Sequence, residues 1–187
     1  NINATLTCRG VSGHSARPWL ADNAIHTLGQ AIVAIAAVPY APCEFDGLRF
    51  TEAMSVTRIA GGIAQNVIPD EATAHINYRY APGTPAAEAE RRLHDVCDRW
   101  GELRIDSNAP SGAVPQGNPL VAALREREGL AWEPKQAWTP VAEFALAGVD
   151  AINFGPGDPR HAHRRDEQID VAALVRSYEV LERAPWA

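Results

Sequence analysis

No stretch of this 187-residue sequence approaches the ~18 consecutive apolar residues that a transmembrane helix requires, so no helix of it is expected to span a bilayer. Cysteine is scarce. Cys8, Cys43 and Cys97 are odd in number and far apart, which fits a reducing cytoplasm better than a disulfide framework. They read as small buried hydrophobes. There is no basic excess either: 17 Lys and Arg stand against 23 Asp and Glu, and the net charge of −6 is the wrong sign for a nucleic-acid footprint. Paired strand aromatics of the kind an RNA-recognition fold needs are missing as well. The opening "NINATLTCRG" has no initiator Met and no basic-then-apolar leader, and reads as a segment of a longer protein. What remains, 46% hydrophobic and 21% charged residues, is the composition of an ordinary globular chain of one large or two small domains.

The apolar periods define the elements. Residues 3–10 alternate, with Ala4, Leu6 and Cys8 facing one way and Thr5, Thr7 and Arg9 the other, as in a half-buried strand. A helical period follows through Ile25, Leu28, Ile32 and Ile35, with Asp22 as the expected N-cap. "VPYAPCEFDG" reads as a proline-bearing loop, residues 51–59 as a strand, and 71–80 as another with Ala72, Ala74, Ile76, Tyr78 and Tyr80 on one face. Thr84 as N-cap and Pro85 in the first turn begin a second helix, striped by Ala89, Leu93, Val96 and Trp100, before a short strand "ELRID". The order β-α-β-β-α-β over residues 1–108 predicts an α+β, ferredoxin-like plan, with four antiparallel strands and two helices on one face.

Past a linker at "SNAPSGAVPQGNP", with a hinge expected near Pro110 and Pro115, the pattern changes. Residues 109–187 read as helix, strand, helix, strand, helix. The strands are "WEPKQAW" and "DAINF", and the last helix is capped by Asp170 and striped by Val171, Leu174, Tyr178 and Leu181. Two short strands cannot form a two-sided sheet, so this part is expected to be an incomplete α/β layer.

Several residues could carry chemistry, each with a plainer reading beside it. In "GPGDPRHAHRRDE" (155–167), His161 and His163 share a face if the segment is extended, as metal ligands would; a solvated polar loop would look the same. His14 in "SGHSARP" is a loop histidine between strand and helix, a common surface feature. Asn66 follows two glycines that would let backbone approach another molecule, or it is simply a turn asparagine. Arg79 lies with His75 and Asn77 on the strand face opposite Tyr78, suited to grip a carboxylate in bidentate fashion or merely exposed.

Together, "GHSARPWLADNAIH", "GGIAQNVIPDEATAHINYRYAPG" and "GPGDPRHAHRRDE", in this order and spacing, resemble the di-zinc exopeptidase and aminoacylase family, nearest its actinobacterial succinyl-diaminopimelate desuccinylase branch. The resemblance implies a dimer-forming lid at 1–108 and the C-terminal part of a zinc-bearing catalytic domain at 109–187. It further implies His163 as a zinc ligand and His14 as an oxyanion-stabilising group that crosses to the partner subunit of a homodimer. Asn66 and Arg79 would hold a small acidic amino-acid substrate, and Thr139, Gly155 and Gly157 would line its pocket. Two zinc ions bridged by a water would supply the nucleophile.

Two departures qualify the resemblance. "TPVAEF" places Pro140 and Glu143 where the family pattern has an aspartate and an arginine. The family's other metal ligands and its general base precede the lid and have no counterpart here, so this chain alone is expected to be inactive. Deacetylase or carboxypeptidase action in the same family, or a dimerisation module without chemistry, are the competing readings.

Overall fold

The computed structural model describes residues 1–183. The chain divides into two compact units, Asn1–Ser111 and Gly112–Ala187.

The first unit is an antiparallel sheet under two helices. Strands β1 (Ile2–Arg9), β2 (Gly13–His14), β3 (Ala41–Phe45), β4 (Leu48–Gly61), β5 (Val67–Ile68), β6 (Glu71–Arg79) and β7 (Glu102–Asn108) accompany helices α1 (Ala24–Ala36) and α2 (Ala86–Cys97). The main sheet has the order β3-β4-β6-β1-β7, while β2 and β5 form a separate two-stranded ladder. Without β3, the order β4-β6-β1-β7 is the arrangement expected of βαββαβ.

Alternation along β1 and β6 decides where the core lies. Ile2, Ala4, Leu6 and Cys8 are wholly buried, as are Ile76 and Tyr78, and Ala72 and Ala74 lie beside them. Ala24, Leu28, Ala31 and Ile35 of α1 and Ala89, Leu93 and Cys97 of α2 close the same cluster from above. The many alanines at this interface bring helix backbones close to the sheet, where packing rather than chain entropy sets the fit. Burial and contact with the Glu52 carboxyl raise the Tyr78 hydroxyl well above its ordinary pKa, so it stays a neutral donor to Glu52. Glu52 also accepts from Arg92 at 3.5 Å, joining β4, β6 and α2.

Four expectations are corrected here. "VPYAPCEFDG" is not wholly a loop, because Ala41–Phe45 pairs with Leu48–Glu52 as a hairpin about Asp46 and Gly47, both at positive φ. The proline that suggested a loop sits on an edge strand, where a missing N–H costs no ladder bond. The cap of α1 is Asn23, whose side chain accepts from the N–H of Ile25 at 2.9 Å, and not Asp22, which is engaged in a bridge with Val11. Ile25, expected in the α1 stripe, is exposed, and Ala24 and Ala31 take the inner face instead. At α2 the cap position belongs to Pro85 without a side-chain bond, so Thr84 does not cap.

The second unit contains α3 (Pro119–Glu128), α4 (Val141–Leu146) and α5 (Val171–Arg183), and among the described residues no strand. Neither "WEPKQAW" nor "DAINF" is a strand: a strand without a neighbour leaves its N–H and C=O groups unpaired. Helix α3 is capped by Asn118, whose side chain accepts from the N–H groups of Leu120 and Val121, and is stopped by Gly129 in the left-handed region. Helix α5 begins as expected, with Asp170 Oδ1 accepting from the N–H of Ala172 at 3.0 Å, but it buries Val180, while Val171, Leu174, Tyr178 and Leu181 of the expected stripe are exposed. The core of this unit is Leu124 and Val180, with Leu130 and Phe154 packed against them.

Candidate active site

His14 is held by a device that begins at Gly10. A Cβ there would lie 2.2 Å from the Asp22 carbonyl oxygen, so only glycine allows this close approach. Gly10 donates to the Asp70 carbonyl at 2.8 Å, and Val11 and Asp22 exchange backbone bonds at 2.8 and 3.0 Å. The chain is thereby aimed into β2, where Gly13 lies opposite Ile68 and His14 opposite Val67. Ser15 N–H then donates to the Asn66 carbonyl at 3.0 Å. Asn66, the turn residue just before β5, and His14 therefore lie at the same end of this ladder, both exposed.

The imidazole has a defined polarity. His14 Nδ1 accepts from the backbone N–H of Ala16 at 3.0 Å. A neutral ring whose Nδ1 is an acceptor carries its proton on Nε2, so the outward atom is an N–H donor.

Arg79 lies elsewhere. Gly10 bonds to Asp70, just before the first residue of β6, whereas Arg79 is the last residue of that strand. The nine residues of β6 separate the two positions, about 27 Å at ~3.4 Å per residue. Within one chain the structure brings His14 together with Asn66 and leaves Arg79 at the far end of the sheet.

Arg79 projects from the uncovered sheet face beside Asn77 and His75, as the alternation implies. Its Nε donates to Asn77 Oδ1 at 2.7 Å, and its Nη1 is buried with no partner among the described residues. Burial lowers its pKa, which is the sign of a cation short of solvent.

In the second unit, Asn153 donates to Thr139 Oγ1 at 3.0 Å, tying the Thr139 segment to the chain entering the Gly155–Gly157 turn. Gly157 has φ +107, a conformation closed to most side chains. It lines a cavity of about 670 Å³ together with Glu133, Asp158, His161 and Asp170. Asp158 caps the short turn Pro159–His161 through Arg160 N–H at 2.9 Å, and its bonds to the Arg160 guanidinium and backbone hold its carboxyl at about 2. His163 has φ +64, an uncommon conformation for a non-glycine residue, and its N–H meets Glu167 Oε2 at 3.2 Å. Its side chain is exposed. Among the described residues no group of three or more His, Cys, Asp or Glu could hold a metal ion. The donors present do not make up a zinc site.

Residues 1–101, more than half of the chain, match the peptidase dimerisation domain. The chain belongs to the peptidase family that carries this domain. A putative succinyl-diaminopimelate desuccinylase of Mycobacterium tuberculosis is 40% identical over 97% of this chain and 52% of its own length. The succinyl-diaminopimelate desuccinylase of Corynebacterium glutamicum is 36% identical over 95% of this chain and 51% of its own. The chain thus spans about half the length of the curated relatives it matches. A hydantoinase/carbamoylase family amidase from Burkholderia ambifaria shares the fold, with TM-score 0.67 at 18% identity, over 98% of this chain and 45% of that one.

The dimerisation domain of this peptidase family contains His14, Asn66 and Arg79, whereas Thr139, Gly155, Gly157 and His163 lie beyond it. Sequence reasoning overlooked Asn3 and gave no role to Asn77, although "INYR" places Asn77 two residues before Arg79 on one strand face. It also had no means of finding the positive φ of His163, since nothing local marks that residue as strained.

Proposed function

We propose that this chain is the lid and the C-terminal catalytic segment of a cytoplasmic, zinc-dependent amidohydrolase. Its reaction is removal of an N-succinyl group from an amino-acid substrate of the diaminopimelate type, and it works as a homodimer through the lid. The observation that carries this reading is the grouping of His14 with Asn66, which offers an Nε2–H donor at one end of the sheet while an uncompensated arginine occupies the other. A donor so placed would meet the oxyanion that develops when the substrate amide is attacked, and such donors are worth roughly 10²–10³ in kcat. Arg79 would hold a substrate carboxylate, and Asn66, Thr139 and the Gly155–Gly157 turn would contact the rest of the substrate. Because His14 sits beyond the Glu71 end of β6 and Arg79 closes its other end, one small substrate would need His14 from one subunit and Arg79 from the other.

The dimer surface we propose is the outer side of α1 with the adjoining edge of β4. Val33, Ile59 and Ile63 are exposed there at 70, 67 and 86%. Residues 53–61 of β4 pair with β6 on one side and, among the described residues, with nothing on the other. A long unpaired edge beside an apolar helix face invites a second copy.

His163 is proposed as one zinc ligand, with the others contributed by residues outside this chain. The exposed Phe144, Leu146, Leu174 and Tyr178 beside a sparse core support the view that more of a catalytic domain packs on this unit. A second reading, deacetylation or carboxypeptidase action, is favoured by Glu143. It is an exposed carboxylate in the first turn of α4 and would repel a succinyl carboxylate. The test is amine release from N-succinyl-diaminopimelate and its N-acetyl analogue by the complete zinc-loaded polypeptide carrying this segment. Faster turnover of the succinyl substrate is expected, and preference for the acetyl one would install the second reading.

A further inference from the structure

Arg9, Arg91, Arg92 and Arg104 of the first unit each hold a carboxylate at 3.5 Å or less. Arg79 holds an amide. Its Nε bonds to Asn77 Oδ1 at 2.7 Å, and no carboxylate lies within ion-pair distance of it among the described residues. Asn77 Nδ2 in turn donates to Asn3 Oδ1 at 2.8 Å and to Asn1 Oδ1 at 2.9 Å. Asn3, directly opposite Asn77 on β1, passes its own Nδ2 to Ser107 Oγ at 3.0 Å on β7.

This chain of bonds has a direction, and arginine sets it. A guanidinium can only donate, so Asn77 must turn its oxygen toward Arg79 and its NH2 toward β1. Asn3 must then present its oxygen to Asn77 and its NH2 to Ser107. The polarity crosses three strands, and each amide has one admissible orientation. An aspartate at 77 would also accept from Arg79, but it would neutralise the guanidinium internally and set its second oxygen against the oxygens of Asn1 and Asn3.

We propose that Asn77, held by Asn3, is a positioning and specificity-determining residue: it fixes Arg79 through a neutral acceptor, so that the guanidinium keeps its full charge for an anionic substrate group. The proposal rests on the reading of Arg79 as the carboxylate holder. The lack of a carboxylate partner at this half-buried guanidinium fits it, because a partly desolvated cation without a counter-ion gains most from an incoming carboxylate.

The test uses the complete polypeptide, with N-succinyl-diaminopimelate and its mono-amides in which each carboxylate is replaced in turn. Asn77→Asp is expected to raise KM for the acid about tenfold or more, with kcat within about threefold. It should add no further loss for the amide that removes the group Arg79 meets. Asn77→Asp with unchanged KM, or with equal losses for acid and amide, overturns the proposal. Arg79→Met distinguishes the two levels. If it leaves KM unchanged, the role of Arg79 fails and this inference with it; if it raises KM while Asn77→Asp does not, only this inference fails. A second measurement needs no activity. In the 187-residue chain the Arg79 Nε–H proton should be protected from water exchange, and Asn3→Ala should remove that protection. Equal protection in the two proteins would show that the amide relay does not hold the guanidinium.

Discussion

The backbone N–H of Ser15 donates to the carbonyl of Asn66 at 3.0 Å, joining two loops fifty-one positions apart in the chain. This bond makes His14 and Asn66 one unit and separates them from Arg79 by the length of β6. Under the proposed roles of His14 and Arg79, one site would draw on two subunits.

Mixing two inactive variants should restore activity. In a heterodimer of His14→Ala and Arg79→Met subunits, one composite site has both residues intact and the other has neither. Random pairing makes about half of the dimers mixed, so about one quarter of wild-type activity should return on mixing. Each homodimer alone should stay at its own low level. If His14 and Arg79 serve one site from the same subunit, mixing will return nothing.

The 187-residue chain by itself should be inert toward N-succinyl-diaminopimelate and should bind zinc weakly. A catalytic zinc needs about three protein ligands, and the described residues offer no cluster of three. Equilibrium dialysis should find no micromolar zinc site, and His163→Ala should change nothing in that experiment. Zinc-dependent hydrolysis by the isolated chain would show the site to be misassigned.

Gly10→Ala and Leu93→Ala should both destabilise the first unit, for different reasons. Leu93 is wholly buried, and its truncation should cost about 2–5 kcal/mol in a denaturant melt. At Gly10 the added Cβ meets the Asp22 oxygen at 2.2 Å, so backbone must move, at a cost of roughly 1–3 kcal/mol. Only Gly10→Ala should also lower kcat in the complete enzyme, since it displaces the segment leading to His14. Equal kcat in the two variants would count against that coupling.

Asp158 should titrate at about 2 in the folded chain, against an ordinary value of 3.8, and Arg160→Ala should return it toward that value. A depressed pKa means that the turn is favoured with the carboxyl ionised, above the ordinary value. That contribution is lost as pH falls through about 2. Carbon-detected NMR of the Asp158 carboxyl across pH 1–6 reads this directly, and an unshifted midpoint would refute the ion pair.

What was legible in the sequence was whatever depends on near neighbours. The period-2 patterns of β1 and β6 revealed the buried faces, because side chains alternate regardless of what they pack against. The same alternation placed Arg79, His75 and Asn77 on the open face. The motifs around His14, Asn66 and His163 singled out residues, since residue type and spacing are local. Tertiary structure decided the rest. Whether Ala41–Phe45 was loop or edge strand depended on a hairpin partner, and whether "DAINF" became a strand depended on a neighbour that the described residues do not supply. The inward face of α5 was likewise chosen by α3, through Leu124 against Val180, rather than by its own apolar stripe. The grouping of His14 with Asn66, the distance to Arg79 and the Asn77–Asn3 relay rest on pairing between residues far apart in sequence. Side-chain periodicity has no information about such pairing, because the hydrogen bonds that define it form only once the sheet has closed.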